Sequence, residues 1–250
     1  MAQMTLLEMV QDILSDMNSD AVNSISDTTE ADQVARIIES TFYELINARD
    51  WPHLATMGQL EASGTSARPT HMKLPVNVQK ILWLKYNKRT STDTRDRYSK
   101  VEHKEPQAFV ELLNARDSSD TTNVSTITDL SSIPLYIIKT QAPSYYTSFD
   151  NEYLVFDSYD NTVDSTLQQS KTQVHMYREP VFTQADTFVP DLPDKAFSYF
   201  LAEAKSTCFN TLKQSPNAKE EQKSNRQRHR MSREKWRQNG GIRYPNYGRK

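Results

Sequence analysis

Thr5-Leu6-Leu7-Glu8-Met9-Val10-Gln11-Asp12-Ile13-Leu14-Ser15-Asp16-Met17 reads as an amphipathic helix, and the segments on its C-terminal side set the fold class. Thr5 and Glu8 have the spacing of a capping box, in which each side chain satisfies a free backbone N–H of the first turn. Leu6, Leu7, Val10, Ile13, Leu14 and Met17 recur at helical spacing and make one apolar stripe. The polar stretch Asn18–Asp27 ends it. Asp27 or Thr28 can cap a second helix, whose apolar face is Ala31, Val34, Ile38, Phe42 and Leu45, flanked by Ile37, Thr41 and Ile46. Trp51-Pro52 stops that helix, because a residue before proline avoids the α region.

From Ala55 to about Ala185 the texture changes to strands. Ile81–Tyr86, Leu135–Lys139, Tyr145–Phe149, Tyr153–Phe156 and Gln173–Tyr177 are short β-branched or aromatic runs bounded by Asn, Asp, Ser and Pro. Phe149–Tyr153 has the composition of a hairpin turn. Pro106, with Phe109, Leu112 and Leu113 after it, predicts one short helix, and Ser118–Ser132 reads as a mobile Asp/Ser/Thr loop. Helix returns at Pro193, with Ala196, Phe197, Phe200, Leu201, Ala204, Cys208 and Leu212 on one face. Ser215-Pro216 reads as a stop and then the cap and first position of a last helix, which runs to about Gln238 and ends at Gly240-Gly241. The expected class is α+β. Residues 1–54 and 190–238 supply a bundle of about four helices, 55–189 an inserted small antiparallel β module, and 239–250 an extended C-terminal arm.

Charge is distributed unevenly along the 250 residues, although the formal net charge is only −2. Residues 1–50 carry ten carboxylates against Arg36 and Arg49, a net of −8; residues 216–250 carry eleven cations against three glutamates, a net of +8. Such asymmetry points to a charged partner for each end, or to each end as the partner of the other. Within the last helix, Lys219, Lys223, Arg226, Arg230, Arg233 and Arg237 step by three or four and share one face. Like charges at that spacing repel by roughly 0.2–0.5 kcal/mol per pair, so the stripe gains from an anionic surface opposite it. Glu8, Asp12 and Asp16 form a carboxylate stripe of matching spacing on the first helix, of the same or a neighbouring copy. The basic stripe lacks the interleaved aromatics of single-strand readers, which favours an acidic protein surface over nucleic acid. Beyond it, Trp236, Ile242, Arg243, Tyr244, Tyr247 and Arg249 place aromatic and basic side chains among Gly, Asn and Pro, a pattern suited to anchoring in pockets on a partner.

Motifs of catalysis are sparse. Five glycines leave little with which to build a phosphate loop, and the five histidines are far apart without metal-ligand spacing. Asp157, Asp160 and Asp164 fit a turn better than a calcium loop. Cys208, the sole cysteine, falls on an apolar helix face and reads as a buried structural thiol. No cofactor or metal is expected. The longest apolar run, Ile133–Ile138, is far short of the roughly 18 residues of a membrane span, and no cation precedes Arg36 as a secretory signal would require, so a soluble protein made in a reducing cytoplasm is expected.

Several segments together resemble the podovirus head-to-tail adaptors, the family that includes tail tubular protein A. Thr5-Leu6-Leu7-Glu8-Met9-Val10, the polar gap to Asp27-Thr28-Thr29, and the second helix closing on Ala48-Arg49-Asp50-Trp51 resemble that family's N-terminus. Leu74-Pro75-Val76-Asn77-Val78 is similar to its lead into the β module, Glu152-Tyr153-Leu154-Val155-Phe156-Asp157 to its aromatic hairpin, and Leu192-Pro193 to its return to helix. The long 87–132 segment and the strongly basic last helix depart from the family pattern. The resemblance implies a non-enzymatic, twelve-subunit ring in the virion, at the head–tail junction. Such a ring joins the portal protein to the tail nozzle (tail tubular protein B-like), often seats tail fibres, and passes genomic DNA through its lumen without reading sequence. It implies further that the C-terminal arm docks on the portal. A virion accessory protein that binds nucleic acid through the basic helix is the competing expectation.

Overall fold

The computed structural model describes residues 3–48, 50–90 and 92–238, with side chains throughout except at 195 and 231–238. The chain divides into two compact units, one of 1–51 with 180–250 and one of 52–179. The class is α+β, with the helices of the first unit drawn from both ends of the chain and a large curled sheet in the second.

In the helical unit, α1 (Leu6–Asp16) begins with the expected capping box: Glu8 N–H donates to Thr5 Oγ1 at 3.3 Å and Thr5 N–H to Glu8 Oε2 at 2.8 Å. For α2 (Thr29–Asn47) the cap is Thr28, whose Oγ1 accepts from Ala31 N–H. Asp27 instead closes the preceding turn by accepting from Asn23 and Ser24 N–H. Both helices bury most of the faces that their periodicity marks, except that in α1 Met9 rather than Leu7 is fully buried and in α2 Ile37 is half-buried. Phe42 of α2 lies at the centre, against Phe182 and against Phe200 of α4 (Asp194–Leu212).

Helix α4 is the hub of this unit. Phe197, Phe200, Ala204 and Cys208 are buried on the expected face, and Ala202 and Ser206 are buried away from it, because α1, α2 and α5 (Ala218–Gln238) all pack on this helix. The expected bundle of four helices round one core is therefore corrected. The apolar core joins α1, α2 and α4, while α5 is laid against α4 through polar side chains. Ser224 donates to Glu203, and Gln227 Nε2 to Ser198 Oγ at 2.8 Å. The missing apolar stripe of α5 explains why it has no deeper seat. Its cap is Asn217, whose side chain accepts from Glu220 N–H, two residues later than Ser215. The unit also takes 180–189, expected in the β module: Phe182 packs against Phe42 and Phe188, and Leu6 N–H donates to Phe188 O. Single aromatics in an aperiodic segment give no sequence signal of their destination.

The second unit is neither small nor wholly antiparallel. Its eight-stranded sheet has the order β1 (Ala55–Gly58), β10 (Thr172–Arg178), β4 (Val78–Asn87), β5 (Tyr98–His103), β8 (Tyr145–Thr147), β9 (Tyr153–Phe156), β3 (His71–Lys73), β2 (Glu61–Ala62). The β5–β8 contact is parallel and the others are antiparallel. Register shifts at His175/Met176 and Tyr177/Arg178 add twist where β10 meets β4, as bulges do. The sheet encloses a core of Leu60, Met72, Leu84, Val101, Phe156, Val174 and Met176, closed by Phe109 and Leu113 of α3 (Pro106–Asn114). A separate hairpin joins β6 (Val124–Thr128) and β7 (Pro134–Ile138). It overturns the reading of 118–132 as one mobile loop: Ile127 is buried, and the turn after it is pinned by Asp129, which accepts from His71 Nε2 at 2.9 Å and from Ser131 N–H. The β8–β9 turn forms as expected, with Asn151 at φ 60° and the Asp150 carboxylate accepting from Glu152 and Tyr153 N–H.

Candidate interaction surfaces

The carboxylate stripe of α1 is already occupied inside the helical unit. Glu8 serves the capping box, while Asp12 and Asp16 converge on Lys205 of α4, with Nζ–Oδ2 distances of 2.8 and 2.5 Å. Burial alone would lower the Lys205 pKa, but the two carboxylates outweigh it and hold the ammonium above its ordinary range. Among the described side chains, Asp12 and Asp16 of α1 are thus paired with one lysine of α4 rather than with the basic stripe of α5. Sequence spacing missed Lys205 because it is a lone cation in an otherwise apolar helix face.

The basic stripe is built as its spacing predicts, over the part whose side chains are described. Lys219, Lys223, Arg226 and Arg230 are exposed on α5, on a face distinct from the Ser224–Gln227 seam. Lys223 pairs with Glu220 one turn back at 3.2 Å and Arg226 reaches Gln222 Oε1, both within the helix. Arg233, Trp236 and Arg237 lie on the helix, but their side chains are outside the described ones; Ile242, Arg243, Tyr244, Tyr247 and Arg249 lie wholly outside the described residues. A hollow of about 200 Å³ sits beside this helix, lined by Glu44, Leu45, Tyr199, Glu203 and Arg228.

The buried ion pair of the β unit is held by structural partners, whereas the hydroxyls of Thr56, Ser99 and Thr147 are buried without a hydrogen-bond partner. Arg116 donates to Tyr136 O, Asp157 O and Asp157 Oδ2, at 2.9, 2.6 and 3.1 Å. The second carboxylate oxygen of Asp157 accepts from Ser144 and Tyr145 N–H. Of the aspartates weighed as a calcium loop, Asp157 is therefore taken by Arg116, Asp160 accepts from Thr162, and Asp164 pairs with Lys171. Among the described residues no group of three or more His, Cys, Asp or Glu side chains converges as a metal site. Cys208 is buried, which pushes its thiol up to about 12 and keeps it protonated. No helix among the described residues is long and apolar enough to cross a membrane.

A groove of about 820 Å³ opens in the β unit between β4 and the β5–β8–β9 side of the sheet. It brings Leu74, Ile81, Leu82, Tyr146 and Leu154 together with Lys80, Lys100, Glu102 and His103. Nothing local marks these residues as neighbours, since they come from five separate segments.

Compared with known families and with curated proteins, the chain matches no family model and no curated sequence.

Proposed function

We propose that the chain is a structural head-to-tail adaptor of a tailed bacteriophage. On this reading it forms a twelve-subunit ring that joins the portal protein to the tail nozzle, with genomic DNA passing through the lumen. The observation that carries the reading is the division of labour between the two charged stripes. Asp12 and Asp16 are both paired with Lys205 within the unit, which leaves the exposed cations of α5 to face an acidic surface outside the chain. A helix held by polar contacts such as Ser224–Glu203 and Gln227–Ser198 rather than by an apolar stripe suits a surface element of an assembly, where neighbours supply the missing burial. The segment beyond α5, with Ile242, Arg243, Tyr244, Tyr247 and Arg249, then serves as the portal-docking arm, Trp236 marking its root. The resemblance of the N-terminal helices, the Leu74–Val78 segment and the β8–β9 hairpin to podovirus adaptors supports the same reading.

Size exclusion with light scattering tests it, on the pure chain alone and mixed with the portal protein of the same virus. Co-elution with the portal ring as a defined multiple of the 28.8 kDa chain is expected. Failure to bind, together with a salt-sensitive shift of DNA, would favour the nucleic-acid-binding accessory protein instead.

A further inference from the structure

The outward face of the β sheet carries rings and cations together. Leu84, Val101, Val174 and Met176 fill the core, so the residues that alternate with them on the same strands point outward. Antiparallel register sets Met57 of β1, His175 of β10 and Trp83 of β4 side by side across three strands. The Trp83 and His175 rings lie 5.7 Å apart, and Met57 is 56% exposed. In the next row of that face Gln173 stands opposite Lys85, and Lys85 opposite Lys100 of β5. Like charges directly opposite on neighbouring strands destabilise a sheet. Among the described residues neither ammonium has a carboxylate partner. Lys85 instead rests over the Trp83 ring, its Nζ 5.0 Å from the centroid, and Lys100 is exposed. Strands β1, β10, β4 and β5 contain one carboxylate between them, that of Glu102, against which stand Lys85, Lys100 and the exposed Arg178.

We propose that this face binds single-stranded nucleic acid. Bases stack on the faces of Trp83 and His175, and the phosphates take Lys85 and Lys100. A base that stacks on Trp83 displaces the Lys85 ammonium from the ring toward the backbone of the same strand. The two lysines repel each other in the free chain, so both gain from a phosphate between them. Rings interleaved with cations are what the basic face of α5 lacks. An acidic protein segment would match the lysines and leave the rings unused, whereas a neutral sugar chain would do the reverse. The same face of a second copy would set like lysines against each other. The inference is independent of the ring reading.

The test uses the full chain and a fluorescein-labelled oligothymidylate of about ten nucleotides, read by anisotropy. Binding that weakens with salt is expected, and a duplex of the same length, whose bases are already stacked, should bind about tenfold more weakly. Trp83→Leu should weaken binding about tenfold, and Trp83→Phe, which keeps a ring, much less. Lys85→Gln/Lys100→Gln should lower the slope of log affinity against log salt by roughly 1.4, the share of two phosphates. Its urea midpoint should stay level or rise, since a like-charge pair is removed. Arg226→Glu/Arg230→Glu on α5 should bind within about threefold of wild type, because the strand lies on the sheet rather than on the basic helix. No binding, equal binding by the duplex, wild-type binding by Trp83→Leu, or a loss confined to the α5 variant would each overturn the proposal. So would displacement of the oligonucleotide by polyglutamate at equal charge, because the face would then recognise an acidic protein.

Discussion

Lys205 of α4 lies 2.8 Å from an Asp12 carboxylate oxygen of α1, and the same ammonium also takes Asp16. One buried cation thus joins the two segments of sequence that form the helical unit. Its side chain is only 11% exposed, whereas the carboxylates are 36% and 46% exposed. Replacing it leaves two like charges one turn apart on α1. Lys205→Met, which preserves the packing of the stem, is expected to cost about 1 kcal/mol in urea unfolding at pH 7, the partial exposure of the carboxylates keeping the figure small. Because the folded-state pKa is raised above the ordinary 10.5, this stabilisation is fully present below that value and is lost as pH rises through the folded pKa. The difference between wild type and variant should therefore shrink in alkaline solution; a difference that grew there would refute the pairing.

Arg116 and Asp157 form the corresponding junction of the β unit, with side chains 12% and 2% exposed. Arg116→Met strands Asp157 Oδ2 and two backbone carbonyls together, while Asp157 Oδ1 keeps the Ser144 and Tyr145 amides. A loss of about 3–5 kcal/mol is expected, the range for removing one member of a buried pair. Tyrosine and tryptophan fluorescence during denaturation, with Trp83 reporting on the β unit and Trp51 on the helical one, should place the loss in the β unit alone.

His71 and Asp129 hold the β6–β7 turn. Burial would raise the Asp129 pKa, but hydrogen bonds from His71 and from the Ser131 and Leu130 amides outweigh it and hold it below the ordinary 3.8. A depressed carboxylate stabilises the fold above its unfolded-state pKa, and the contribution fades as pH falls through the folded-state value. Asp129→Asn should cost about 2 kcal/mol at pH 7 and progressively less below pH 3.8, as read from parallel acid and urea titrations.

The exposed face of α5 predicts a separation of stability from association. Arg226→Glu/Arg230→Glu should change unfolding free energy by no more than about 0.5 kcal/mol, because neither side chain is buried. On the proposed adaptor reading, the same variant should lose binding to the portal, and wild-type binding should weaken with salt. A destabilised variant would mean that this face is packed rather than presented.

How far the sequence revealed this architecture depended on whether a signal was local. The caps at Thr5 and Thr28, the faces of α1 and α2, the start of α3 at Pro106 and the Asp150–Asn151 turn are decided within a few residues, and all are visible in the chain. Strand β5 was not, because Tyr98–His103 buries only Val101 and is otherwise polar. Strand β6 was hidden by serines and threonines that pair with β7 rather than with solvent. The basic face of α5 was legible as periodicity. Its lack of pairing with α1 was not, since that depends on a single lysine 189 residues from Asp16. The groove beside β4 was invisible for the same reason: it exists because β5 changes partner, an event with no signature in either strand.

The adaptor reading is tested most directly by native mass spectrometry of the full chain mixed with the portal ring, with the chain lacking 239–250 as the comparison. Ring assembly predicts a portal complex carrying a full complement of adaptor copies, formed by the intact chain and abolished by the truncation while the free protein stays folded. An intact chain that leaves the portal mass unchanged, or a truncated chain that attaches normally, would contradict it.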